Sequence, residues 1–161
     1  EKKKILLDFL SRANSTIYRQ TMFAEFEYII HEKEQEKIPL TEELMSNEYQ
    51  KLIEKYFGND TIIDEDIKYE WMRISHFYSS FYVYKYAIGL ICSLIFAKRI
   101  LNKEENAVEN YISFLSSGTS DYPLNILKKA NIDLTDQKVF DEAFSMIKEK
   151  LNELKEVIAC E

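Results

Sequence analysis

Three glycines and two prolines are all that punctuate 161 residues, and no other feature constrains the fold as much. Chain reversals in sheet proteins lean on those residues, so their scarcity disfavours a multi-turn β architecture and favours long helices. With 46% hydrophobic and 14% aromatic side chains, the chain carries enough apolar material for a real core. The expectation is an all-α fold: a single multi-helix domain over residues 1–161, with a long N-terminal helix and a buried central one.

Between Lys3 and about Gln35 there is no Pro or Gly, and apolar residues recur mostly at threes and fours from Ile5 to Ile30. If continuous, this helix is roughly 50 Å long at 1.5 Å per residue. A compact chain of this size is about 40 Å wide. The helix therefore overhangs any globule the chain could form alone, a hint that part of a larger molecule is absent. Lys37-Ile38-Pro39-Leu40 breaks the pattern, and Thr41 is a fair N-cap for a helix to about Phe57. Gly58-Asn59-Asp60 reads as a C-cap and turn. A brief helix from Asp66 to Arg73 leads to a loop at His76. Further helices are expected over about Ser79–Leu101, Glu104–Leu115, Asp121–Ala130 and, capped by Thr135, Asp136–Val157. The 79–101 helix is apolar all round through its middle and is therefore expected to be buried.

A formal net charge of −7 argues against a nucleic-acid surface, whose affinity rests on clustered Lys and Arg. The uncharged run from Tyr86 to Ala97 has twelve residues, whereas a membrane span needs about 20. No signal-peptide pattern opens the chain, and a cytoplasmic protein fits best. Cys92 in an apolar run and Cys160 at the tail make no metal spacing; a buried thiol and a loose terminal one are expected.

His31-Glu32-Lys33-Glu34-Gln35 superficially suggests a zinc helix. Zinc peptidases place two histidines at i and i+4 so that both imidazoles leave one helix face. Here the second position is Gln35, and a solvated helix end is the better reading. Glu25 and Arg19 are read as structural ion-pair partners, with Arg19 or Arg73 opposite Glu25.

The segment His76–Gly89, HFYSSFYVYKYAIG, is different. It holds four tyrosines beside one of the two histidines. A buried phenol needs a partner for its hydroxyl, so such a cluster suggests a lined pocket. On a helix, Tyr82 and Tyr86 at i and i+4 share a face, with Gly89 on the same side to permit a close approach, while Tyr84 and Lys85 point elsewhere. The competing reading is a packed aromatic core.

HFYSSFYVYKYAIG, with IYRQTMFAEFE (Ile17 to Glu27) and SDYPLNILKK (Ser120 to Lys129), resembles the C-terminal part of oligoendopeptidase F, in the thimet-oligopeptidase-like zinc metallopeptidases. The resemblance extends over nearly all of the chain. It implies a zinc metalloendopeptidase that hydrolyses short oligopeptides, of which this chain supplies one wall of the cleft. Carried over by position, His76 binds the substrate backbone, Tyr82 donates its hydroxyl to the developing oxyanion, and Tyr86 matches the next family tyrosine and also binds substrate. The spacing leaves a one-residue ambiguity in which Phe81 or Tyr84 takes a neighbour's place. The HExxH zinc motif does not occur here, so the resemblance places the zinc ligands upstream and leaves this chain without bound metal and inactive alone. Its implied partners are a short peptide and the missing N-terminal catalytic portion, and an apolar patch left bare should favour self-association. The alternative is a stand-alone, non-catalytic all-α peptide-binding or scaffold protein. An open reading frame running upstream into HExxH separates the two.

Overall fold

The computed structural model describes residues 1–58 and 61–160, and all regular elements among them are helices. The all-α expectation holds. In order they are α1 (Lys2–Ala13), α2 (Arg19–Gln35), α3 (Glu42–Phe57), α4 (Tyr84–Leu101), α5 (Ala107–Ser116), α6 (Pro123–Lys129) and α7 (Gln137–Ala159). A π-helical turn, Asn14–Tyr18, joins α1 to α2, and 3-10 helices at Glu65–Arg73 and Ser75–Tyr78 lie between α3 and α4.

Packing divides the described residues into two compact units, one of residues 14–88 and one of residues 1–13 with 89–161. The long helical run contributes residues 1–13 to one unit and residues 14–35 to the other. α1 packs on α7 and α2 on α3. Leu6, Ala13, Ile17, Met22, Phe23 and Phe26 are buried along the run, while Ile5 and Leu7 stay exposed.

In the first unit, α2 and α3 close on an apolar core of Met22, Phe23, Phe26, Tyr49, Leu52 and Ile53. Thr41 caps α3 as expected, its hydroxyl accepting the Leu44 N–H at 3.2 Å. Gly58 ends the helix at φ 73°, a left-handed position that favours glycine; Asn59 and Asp60, the rest of the expected turn, lie outside the described residues. The buried Glu70 carboxylate accepts the Tyr49 hydroxyl at 2.8 Å and is bonded by Arg19 and Arg73. Both arginines are thus committed to Glu70, and the expected pairing of Glu25 with either is corrected. Glu25 instead takes Lys55 at 2.5 Å and the Tyr56 hydroxyl at 2.8 Å. Partial burial alone would raise Glu25, but those two partners outweigh it and lower its pKa.

The second unit buries Ile91, Cys92, Leu94, Ile95 and Phe96 of α4. Phe96 packs against Tyr111 and Phe114 of α5 with ring centroids 5.2 Å apart in each pair. Arg99 forks onto Glu142 of α7 at 3.0 and 2.9 Å and donates to the Asn131 carbonyl at 2.8 Å. α5 begins at Ala107, not Glu104, because Asn106 is left-handed at φ 58° and interrupts the helical backbone. α7 is capped by Asp136, whose carboxylate accepts the Lys138 N–H at 3.0 Å. Thr135, the expected cap, spends its hydroxyl on Asp133 at 2.7 Å. Val108, Ile112 and Leu115, at helical spacing on α5, remain exposed.

Burial pushes the Cys92 thiol up to about 11, whereas Cys160 is exposed. A thiol reagent at neutral pH should therefore label one site in the native chain, Cys160, and the second only after denaturation. Mass spectrometry of tryptic peptides reads this directly. Fast native labelling of Cys92 would contradict the packing of α4.

Candidate functional site

Alternation of inward and outward residues builds the site. Ile74 is buried, and Phe77 one 3-10 turn later packs on Phe23 and Phe26 at 5.7 and 5.3 Å between centroids. Val83 is buried completely. These three side chains pin residues 74–83 to the core and leave His76, Tyr78 and Tyr82 outside it. The expected helix from Ser79 does not form. Instead the Tyr82 N–H donates to the Ser79 carbonyl at 3.1 Å, closing a tight turn with Phe81 at φ 54°. α4 starts only at Tyr84, so Tyr82 precedes the helix rather than riding on its face.

The turn nonetheless brings the expected residues together. The His76 and Tyr82 rings lie 6.1 Å apart and nearly parallel. Tyr86 sits edge-on to both, 5.6 Å from His76 and 5.5 Å from Tyr82. Its hydroxyl oxygen is 3.3 Å from His76 Nε2. With that hydroxyl donating, the neutral imidazole carries its proton on Nδ1, where it can serve a second acceptor. The adjacent Tyr82 phenol holds the Tyr86 phenol above its usual range. Tyr82 and Tyr86 are each 39% exposed. The packed-core reading therefore fails for this triad: the core is made by their neighbours Phe77 and Val83.

Two sequence expectations, for Lys85 and His31, need correction here. Lys85 does not point away; its ammonium stands 5.0 Å over the Tyr82 ring. The space around Gly89 is open, since a Cβ there would have nothing within 4 Å. His31 is not simply solvated: its Nδ1 donates to the Glu27 carbonyl at 2.7 Å and its ring lies 4.6 Å from Phe81. Glu27, which with Glu25 sits among Phe23, Phe26 and Tyr28 in sequence but has no partner legible there, is 1% exposed and accepts the Phe81 N–H at 2.5 Å. Its signal was available. Glu27 falls on the buried stripe of Met22, Phe23 and Phe26, where a carboxylate needs a partner.

As chemistry, the cluster presents hydrogen-bond donors without a formal charge to desolvate, suited to a polar backbone or a developing negative oxygen. It does not suit a metal. Among the described residues no three His, Cys, Asp or Glu side chains converge as a cation site, and His31 has Gln35, not an imidazole, at i+4. The zinc ligand set is thus not met by these residues. Among the same residues, no helix is long and apolar enough to cross a membrane.

Comparison with known proteins finds relatives across nearly the whole chain. The chain is 46% identical to oligopeptidase PepF of Bacillus subtilis (strain 168), over 96% of its own length and 23% of that protein's. It is 43% identical to group B oligopeptidase PepB of Streptococcus agalactiae, over 96% of its length and 26% of the relative's. The crystal structure of oligoendopeptidase-F from Enterococcus faecium superposes with a TM-score of 0.95 at 42% identity, covering 99% of this chain and 31% of that one. The chain spans about a quarter of the length of the curated relatives it matches. Since the sequence model described as Peptidase family M3 matches residues 2–146, nine-tenths of the sequence, the chain belongs to that family.

Proposed function

We propose that this chain is the helical C-terminal part of a zinc metalloendopeptidase of the oligoendopeptidase F kind, which hydrolyses short oligopeptides in the cytoplasm. In that enzyme it supplies the substrate-binding and oxyanion-stabilising wall of the cleft. The observation that carries the reading is the convergence of His76, Tyr82 and Tyr86 on the surface side of the turn at 79–82. His76, with Nδ1 protonated, donates to a peptide carbonyl. Tyr86 fixes that tautomer through its hydroxyl and lines the same binding surface. Tyr82 is the catalytic donor: its hydroxyl meets the negative charge that builds on the scissile carbonyl oxygen in the transition state. Zinc supplies the activated nucleophile and is held by other parts of the complete enzyme. Family membership, at 46% identity to an oligopeptidase, supports the substrate class.

The chain by itself should bind no zinc stoichiometrically and cleave no peptide, because no i, i+4 histidine pair is present. Elemental analysis after dialysis, together with a fluorogenic oligopeptide assay, tests both. One tightly held zinc per chain, or turnover by the isolated chain, would sink this assignment. Covering of Val108, Ile112 and Leu115 by the N-terminal catalytic portion completes the proposal, and the isolated chain should self-associate through such bare faces. Sedimentation velocity of the wild type and of Ile112→Glu measures it, with the variant shifted toward monomer.

A further inference from the structure

The third position of the turn 79–82 holds a residue ill suited to it. A left-handed backbone is normally left to Gly or Asn, yet Phe81 adopts φ 54°. Two contacts from α2 hold it there. Glu27, fully buried, accepts the Phe81 N–H at 2.5 Å, a bond across 54 residues of sequence. His31, one helical turn on, lies 4.6 Å from the Phe81 ring and is itself oriented by donating Nδ1 to the Glu27 carbonyl. Phe81 is 47% exposed, so its own burial does not explain the constraint. The next residue in the chain is Tyr82.

We propose that Glu27, backed by His31, is a positioning residue that clamps the left-handed Phe81 and thereby sets the Tyr82 hydroxyl against the peptide bond being cleaved. Glu27 touches neither substrate nor the reacting atoms; it acts through one backbone N–H. The inference rests on the role proposed for Tyr82. Releasing Phe81 lets the turn relax toward right-handed conformations that re-aim Tyr82, and misplacement of a reacting group by about 1 Å can cost up to about 10²-fold in rate.

The test uses the complete peptidase with a fluorogenic oligopeptide, and amide hydrogen exchange at Phe81 as a readout independent of activity. Glu27→Ala should lower kcat about 10- to 100-fold with KM little changed, and the Phe81 amide should lose its protection. Glu27→Gln should recover most of the rate, because an amide oxygen also accepts the N–H. In a Tyr82→Phe background, Glu27→Ala should cost almost nothing further, since both act through one hydroxyl. A stability role alone would lower the melting temperature without that loss of additivity. If Glu27→Ala fails to fold, the exposed Phe81 decides the matter. Phe81→Val, β-branched and averse to positive φ, should fall below Phe81→Gly in kcat, and equal rates would overturn the proposal. A Tyr82→Phe loss without a Glu27→Ala loss, or fully multiplicative losses, overturns this inference alone. An undiminished kcat in Tyr82→Phe overturns the proposed function and this inference with it.

Discussion

Tyr82→Phe in the complete peptidase should lower kcat by about 10²–10³, equivalent to about 2.7–4 kcal/mol of transition-state stabilisation, with little change in KM. Only the hydroxyl is lost. The ring keeps its place beside His76 and Tyr86 and beneath Lys85, so ground-state packing is nearly intact. Charge on the carbonyl oxygen is small in the bound substrate and large in the transition state, which is why the loss falls on kcat. His76→Ala should hurt both constants, because an imidazole that grips the peptide backbone does so before and during attack. Tyr86→Phe fixes the register. It removes the hydroxyl 3.3 Å from His76 Nε2, and its loss should be smaller than that of Tyr82→Phe and shared with KM. A larger kcat loss at Tyr86 would move the oxyanion donor one helical turn along the chain. Near wild-type kcat/KM in all three variants would reduce the cluster to surface packing.

Glu70→Ala should be the most damaging single change to the fold of the chain itself. Its carboxylate is buried and gathers Arg19, Arg73 and the Tyr49 hydroxyl. Removing one partner of a buried ionic network costs about 3–5 kcal/mol, since the others are left desolvated. Arg73 is 71% exposed and can return to water, so the lower end, about 3 kcal/mol, is expected. Much of that comes from Tyr49, whose hydroxyl is stranded in a fully buried ring position. Urea unfolding followed by circular dichroism would register it as a drop in midpoint at unchanged slope. Glu25→Gln is the contrast: its Lys55 partner is exposed, and a loss below about 1 kcal/mol is expected. Equal losses at the two positions would mean that Glu70 anchors nothing in particular.

Local chemistry made much of this legible beforehand. The shortage of Gly and Pro and the 3.6-residue apolar pattern sufficed for an all-α chain, for the extent of α3, and for Thr41 as its cap. Those properties depend on residues within a turn or two of each other. The same locality exposed the absent histidine partner of His31, and the grouping of His76, Tyr82 and Tyr86 followed from the tyrosine-rich segment together with its family resemblance. Where expectations failed, a distant residue had won. The helix thought to begin at Ser79 gives way to a turn because Glu27, far upstream, holds Phe81 left-handed. Glu25 lost its expected arginines because Glu70 gathers both on a buried carboxylate. Sequence thus determined the all-α class and most of the helical stretches, which faces are apolar, and that the described residues lack an i, i+4 zinc pair. Tertiary structure alone decided which carboxylates are buried and which backbone is forced left-handed. A buried charge or a strained φ is tolerated only when partners far apart in the chain converge on it, and no local pattern records that convergence.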